Sequence, residues 1–357
     1  MIMLINRVAD ARGYLERCGV DALLFLNLSN IRYLSGFTGS DGALVIFRDE
    51  SCFLTDSRYS TQATSEVRDF RTIIYQEKKQ GIFSVLGEKG IRRVGFEADN
   101  MSVAFYKAIS EMMPAVEMFP IGTELNTLRI IKDAEEILCI CKAAEIASDA
   151  LRSIFETLNT DITERTLALD LEYSMLKAGA DDKAFDFIVA SGQRGALPHG
   201  KASDKKIRAG ELITIDFGAV YQGYNSDETV TVVLGEPDSR QREIYQIVKD
   251  AHDIALASVK PGISFRELDS KARNYIENRG YGDYFGHGLG HGVGLDIHET
   301  PVISFRSEGQ VQEGMVFTIE PGIYLPGWGG VRIEDTVCVT GDGCRVLTKL
   351  PKDLLIL

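Results

Sequence analysis

Four carboxylates in this chain stand inside phrases that otherwise read as buried strands: Asp216 in LITIDFG, Asp227 in NSDETVTVV, Glu320 in VFTIEPG and Glu334 in VRIEDTV. Side chains alternate across a strand, so residues two apart share a face. Leu212, Thr214 and Asp216 then face one way while Ile213, Ile215 and Phe217 face the other. In the same sense Asp227 goes with Thr229 and Thr231, Thr318 with Glu320, and Arg332 with Glu334 and Thr336. An ionised carboxylate buried without a partner is very costly, so such groups pair, hold a cation or take up a proton. Whatever this chain folds into must therefore bring these acidic faces to a neutralising centre. Arg332 offsets one charge; two divalent cations offset all four.

A glycine-spaced stretch, GHGLGHGVGLDIHE from Gly286 to Glu299, holds His287, His291 and His298, three of the five histidines in the chain. Its glycines permit close backbone approach. Any one of these features has an ordinary reading as a turn, a cap or a hydrogen-bonded core residue. Their order carries the weight: Asp216 and Asp227 stand 11 residues apart, His291 and Glu320 29 apart, and Glu320 and Glu334 14 apart. Carboxylates joined by a neutral imidazole form an oxygen-rich donor set that suits Mn²⁺, Co²⁺ or Fe²⁺ better than a structural zinc site. The six cysteines form no CxxC pair and read as reduced, small hydrophobes.

A net charge of −13 and a pI near 5.0 argue against nucleic acid as a partner, because a phosphate backbone calls for a basic face. The amino-terminal MIMLINRVADARGYLERCG has neither a basic leader region nor a cleavage site, and no apolar run approaches the ~20 residues that cross a bilayer. A cytoplasmic protein without a membrane partner is expected.

Along the chain, the first third alternates strands (DALLFL, ALVIF, CFLTD, RTIIY, RVGFEA) with helical stretches, as in an open α/β domain. The glycines of SGFTGSDG lack the strand–turn–helix context of a phosphate-cradling loop. The pattern breaks near Pro120–Asn126, and apolar spacing then predicts a long helix from Leu128 to about Leu158. This places a boundary near residue 125, giving domains over 1–125 and 126–357. In the second, helices are predicted over Glu164–Ala178, Arg240–Ser258 and Ser264–Asn278, with ELITIDFG, AVYQGYN and ETVTVVLG as neighbouring antiparallel strands. Helices interleaved with hairpins indicate an α+β architecture. His252, inside the second of these helices, is expected at the surface.

Taken together, SGFTGSDGALVI, LTDSRYSTQA, ASGQRGALPHG, TIDFG, GYNSDET, GHGLGHGVGLDIHE, TIEPGIY and GGVRIED resemble the proline-peptidase branch of the pita-bread metallopeptidases, which contains Xaa-Pro aminopeptidase and Xaa-Pro dipeptidase (prolidase). The resemblance spans essentially the whole chain. It implies a smaller creatinase-like α/β domain followed by a pita-bread catalytic domain. It also implies two divalent cations, Mn²⁺ first with Co²⁺ or Fe²⁺ as alternatives, on Asp216, Asp227, His291, Glu320 and Glu334. By motif position, Glu320 is the proton acceptor in a hydrolysis driven by a metal-bridging hydroxide. His199 of ALPHG and His298 orient substrate and steady the oxyanion, His287 lines the prolyl site, and Arg332 supports the ligand carboxylates.

Substrates would be peptides with proline second, and the assembly a homodimer or homotetramer. Many prolidases resemble one another in an arginine after HExP; here HETPVIS puts Val302 there, which favours the aminopeptidase over the dipeptidase. Arg194 or Arg306 could still serve a dipeptidase. Creatinase-like hydrolysis without metal, methionine aminopeptidase, and a non-enzymatic binding protein on the same scaffold are the other readings. The full ligand set speaks against the first and last, and the amino-terminal domain against the second.

Overall fold

The structure, a computed structural model, describes residues 2–156, 158–160 and 162–357. Its contacts divide the chain into two compact units, one ending at Arg129 and the other starting at Ile130.

In the first unit, the elements run α1 (Ile2–Cys18), β1 (Ala22–Phe25), α2 (Leu28–Ser35), β2 (Ala43–Phe47), β3 (Ser51–Asp56), α3 (Ser60–Glu66), β4 (Arg71–Tyr75), α4 (Lys78–Glu88), β5 (Arg93–Glu97), α5 (Val103–Met112) and β6 (Glu117–Ile121). The strands form one mixed sheet in the order β4-β3-β2-β1-β5-β6. Its central strands β1 and β2 are buried throughout, which accounts for their unbroken apolar runs. Ile82, Val85 and Leu86 of α4 pack on one face of the sheet with Leu24, Val45 and Leu54.

The second unit opens with α6 (Ala134–Phe155), shorter than the helix expected over 128–158. A capping box explains the late start. The Asp133 carboxylate accepts from the amides of Glu135 and Glu136, and the Glu136 carboxylate accepts from the amide of Asp133. Residues Thr123–Arg129 instead form a 3₁₀ turn. Thr157, within the expected span, lies outside the described residues.

There follow α7 (Glu164–Lys177), β7 (Asp182–Lys183), β8 (Ile188–Ser191), β9 (Leu212–Phe217), β10 (Ala219–Tyr221), β11 (Tyr224–Asn225), β12 (Glu228–Val233), α8 (Ser239–Ser258) and α9 (Phe265–Asn278). The chain ends in β13 (Gly290–Gly292), β14 (Glu299–Ile303), β15 (Val316–Ile319), β16 (Gly322–Leu325), β17 (Gly329–Arg332), β18 (Asp335–Val339) and β19 (Cys344–Val346).

Two helix pairs cover two sheets. Leu151 of α6 and Leu167 and Leu171 of α7 pack on Ile213, Ile215, Phe217, Val230 and Val232 of the sheet β12-β9-β8. Ile244 and Val248 of α8, with Leu268 and Ala272 of α9, pack with Phe317, Ile319 and Val337 of the sheet β14-β13-β15-β18-β19. The apolar alternation expected for β9 and β12 is thus satisfied against helices, and their Thr and Asp side chains are turned the other way. AVYQGYN departs from expectation. Gln222 and Gly223 both take positive φ (48° and 76°), which closes a two-residue hairpin between β10 and β11. That hairpin pairs with β7 in its own small sheet, and β12 pairs directly with β9.

His252 is also corrected: it is fully buried in α8, with Nε2 3.2 Å from Asp335 and Nδ1 3.1 Å from Asp253. Burial draws its pKa down, but the two carboxylates outweigh burial and hold it above the usual histidine value. Among the described residues, no helix is long and apolar enough to cross a membrane.

Candidate metal centre and active-site cleft

Residues of β9, β13, β14, β16 and β17, with Asp227 just before β12, Glu320 just after β15 and Glu334 just after β17, line one cleft of about 480 Å³ in the second unit. Asp216, Asp227, His291, Glu320 and Glu334 all reach it, as do His199, His287, His298 and Arg332. The five expected metal ligands, three of the histidines and Arg332 therefore arrive in one place. Backbone pairing explains how: β9 and β12 set Asp216 opposite Thr229, the Glu334 amide donates to the Thr229 carbonyl, and the Glu320 amide donates to that of Leu289.

His291 enters on β13, squeezed between β14 and β15. A Cβ at Gly290 would stand 1.9 Å from the Thr318 carbonyl oxygen, and one at Gly292 2.4 Å from that of Thr300. Only glycine fits on either side of this imidazole. Its Nδ1 donates to the Gly292 carbonyl at 3.2 Å, so the neutral ring presents the Nε2 lone pair 3.5 Å from Asp227 and 3.4 Å from Glu320. Burial keeps its pKa below the usual value.

Burial also pushes Asp227, Glu320 and Glu334 above the ordinary carboxylate range, and the charges of the acids around them, Asp216 among them, add to the rise. Few donors offset this. Thr229 Oγ1 donates to Glu334 at 2.5 Å, Thr318 Oγ1 to Glu320 at 3.2 Å and Arg332 to Asp216 Oδ2 at 2.6 Å. Asp216 Oδ1 is buried with no hydrogen-bond partner. Donor atoms of Asp227, His291 and Glu334 lie within 4.8 Å of one another, an arrangement that could hold a metal ion. Converging carboxylates, an orphaned buried oxygen and an imidazole held in its ligand tautomer fit a divalent cation centre.

Tyr324 was not singled out from the sequence, although TIEPGIY contains it. Its hydroxyl accepts from Arg332 Nη1 at 2.9 Å and lies 3.0 Å from His287 Nε2. His287 Nδ1 donates to the Gly288 carbonyl at 2.8 Å, so its Nε2 accepts the tyrosine proton. Burial pushes the Tyr324 pKa up to about 12, which keeps that proton in place. The period of two from Glu320 through Gly322 to Tyr324 was the signal available in the sequence.

The segments bearing His199, His287 and His298 are tied down from behind. Glu164, fully buried at the start of α7, accepts from Ser191 N and Oγ (both 2.8 Å), Arg194 Nε (2.9 Å), Ser203 N (3.1 Å) and Ser203 Oγ (2.6 Å), gripping both ends of the loop that carries His199. Arg273 is paired with buried Asp269 and donates to the carbonyls of Phe285 (2.9 Å) and His287 (2.6 Å). Lys132 pairs with Glu299, next to His298, at 2.5 Å with both side chains buried.

Residues 139–341 match metallopeptidase family M24, and residues 7–131 match the creatinase/prolidase N-terminal domain. The chain belongs to family M24. It is 42% identical to the Xaa-Pro dipeptidase of Pyrococcus horikoshii over 99% of this chain and 100% of that one. The structure of the Xaa-Pro dipeptidase from Bacillus anthracis superposes with a TM-score of 0.97 at 40% identity, covering 99% of this chain and 100% of that one. The X-Pro aminopeptidase of Thermotoga maritima superposes with a TM-score of 0.88 at 40% identity, covering 96% and 99%. The expectation of a creatinase-like domain preceding a pita-bread metallopeptidase domain is borne out.

Proposed function

We propose that this M24 metallopeptidase hydrolyses the bond between the first residue and a following proline at the amino terminus of peptides. Two divalent cations, Mn²⁺ before Co²⁺ or Fe²⁺, would be held by Asp216, Asp227, His291, Glu320 and Glu334. The observation that carries this is the convergence of those five side chains on one cleft, with Asp216 Oδ1 buried and unpartnered. Relatives that bear Xaa-Pro peptidase names at 40% identity or more support the substrate class.

Cations there supply Lewis acidity toward the scissile carbonyl and lower the pKa of an attacking water. The residues do the rest. Glu320, which lines the cleft 3.4 Å from His291 Nε2, accepts the proton of the attacking water and hands it to the departing proline nitrogen. His199 and His298 face the cleft as donors for the developing oxyanion. His287, its Nε2 already occupied by Tyr324, offers its ring to the prolyl side rather than a proton. Arg332 braces Asp216 and Tyr324 while also donating to the Pro198 carbonyl beside His199.

Val302, about half exposed, lines the cleft where a prolidase-like arginine would stand. Arg194 is committed to Glu164 and to the Lys201 carbonyl, and neither it nor Arg306 lines the cleft. Arg332 is the one guanidinium that does, among the described residues, and it is bonded to Asp216. With no guanidinium set to clasp a free proline carboxylate, we favour an aminopeptidase that accepts a chain continuing past proline.

The dipeptidase reading has one observation of its own: Lys201, its side chain exposed and 3.2 Å from Asp186, lines the cleft and could meet a carboxylate. Turnover of Xaa-Pro, Xaa-Pro-Yaa and Xaa-Ala-Yaa peptides tests both. The tripeptide with proline is expected to give the highest kcat/KM. A higher value for the dipeptide would reverse the choice, and equal cleavage of the alanine peptide would remove proline specificity altogether.

A further inference from the structure

Behind the cleft, the strands that carry two of the proposed metal-holding acids share a second set of charges. Alternation turns the residue after each acid away from the cleft: Glu228 follows Asp227, and Asp335 follows Glu334. Glu228 and Asp335 are both buried, and neither lines the cleft. Both reach one ammonium. Lys352 Nζ lies 2.5 Å from Glu228 Oε1 and 3.2 Å from Asp335 Oδ1, with its own side chain 7% exposed.

The remaining partners come from elements packed around this point. Ser148 Oγ of α6 donates to Glu228 at 2.6 Å and the Leu350 amide donates to Glu228 at 3.0 Å. Thr348 Oγ1 donates to Asp335, and His252 Nε2 of α8 stands 3.2 Å from Asp335 Oδ2. The same two strands meet directly through Thr336 Oγ1, which donates to the Asp227 carbonyl at 2.7 Å, and the Glu334 amide, which donates to the Thr229 carbonyl at 3.1 Å.

We propose that Lys352 is a positioning residue for the metal centre: its ammonium ties Glu228 to Asp335 and so sets the spacing between Asp227 and Glu334, one residue away on each strand. The inference rests on the proposed assignment of those two acids to metal. Its physical basis is leverage through one peptide unit. Without the ammonium, nothing bridges the two side chains, and the starts of β12 and β18 lose the link that fixes their separation, whether or not both acids keep their charge. Those are the segments from which the two cleft acids project. No part of Lys352 needs to touch metal or substrate for this to act.

The test titrates the metal-stripped full-length chain with Mn²⁺ and follows the dissociation constant and the melting temperature together. Lys352→Met is expected to weaken Mn²⁺ binding by about 10-fold, the lower end of the effect of losing a direct outer partner of a metal ligand, since Lys352 acts one residue removed. Lys352→Arg keeps the charge and is expected to bind close to wild type. In the double variant Lys352→Met/Glu228→Gln the stranded charge is gone, so its melting temperature recovers while its affinity stays weak. Should Lys352→Met fail to fold, the double variant carries the same comparison.

Wild-type affinity in either variant that lacks the ammonium would overturn the positioning role and leave the proposed function standing. A wild-type protein that binds no Mn²⁺ would overturn the proposed function, and this inference with it.

Discussion

Removing divalent cations with a chelator is expected to abolish turnover of an Xaa-Pro-Yaa peptide, and adding Mn²⁺ or Co²⁺ to restore it. The argument is electrostatic before it is mechanistic. Burial holds Asp227, Glu320 and Glu334 above the ordinary carboxylate range; neighbouring acids add to the rise at Asp227 and Glu334, while His287 and Arg332 oppose it at Glu320. In metal-free protein these groups, when folded, keep protons that the unfolded chain has already released. Stability then falls as pH rises, because the folded state binds more protons than the unfolded one. The window opens just above pH ~4, where carboxyls of an unfolded chain ionise, and extends upward through the raised folded values.

A cation removes the reason for those protons. Melting curves recorded across pH with and without Mn²⁺ should therefore diverge, the gap between them widening toward alkaline pH. At free metal 100 times the dissociation constant, mass action adds about 2.7 kcal/mol per site, which corresponds to several degrees in a chain of this size. Parallel curves, or full turnover after exhaustive chelation, would contradict the centre proposed here.

The second large effect is expected from Glu320→Gln. The amide preserves shape and can still accept from Thr318, but it cannot take up a proton. A group that carries a proton through the reaction contributes about 10²–10⁴-fold, so kcat, measured at saturating Mn²⁺ because Glu320 is also one of the proposed ligands, should fall by at least that range while circular dichroism stays near wild type. Glu334→Gln serves as the contrast. Its role is to hold metal beside Asp227 and His291, so metal content measured by atomic emission should fall along with activity. A Glu320→Gln enzyme that turns over at the wild-type rate would remove that residue from the chemistry. Undiminished metal in Glu334→Gln would remove that residue from the cage.

Much of this was legible in the sequence because the signals were local. Alternation in LITIDFG and ETVTVV sorted the side chains of β9 and β12 between the helix-covered core and the opposite, polar face that carries Asp216, since a two-residue period leaves no other choice. What was not legible depended on partners distant in the chain. His252 looked like a surface residue because it sits inside a helix and belongs to none of the motifs; its burial follows from Asp335, which arrives from β18 to receive it. Tyr324 lay inside a quoted motif but had no chemistry until Arg332 and His287 were set beside it. The start of α6 was missed for the opposite reason. Apolar periodicity ran on upstream, and the capping box at Asp133 and Glu136 overrode it.

The grip of Glu164 on the His199 loop has a consequence for how that loop moves. A loop anchored at one end frays from the other, but one carboxylate here accepts from Ser191 on one side and Ser203 on the other. Release of either end withdraws two donors from the same buried carboxylate and weakens its hold on the other, so the two ends should open in a single event rather than in sequence. Hydrogen–deuterium exchange would read this as equal protection of the Ser191 and Ser203 amides, lost together in Glu164→Gln. A tenfold slower exchange at one of them in the native protein would mean that the loop opens from one side.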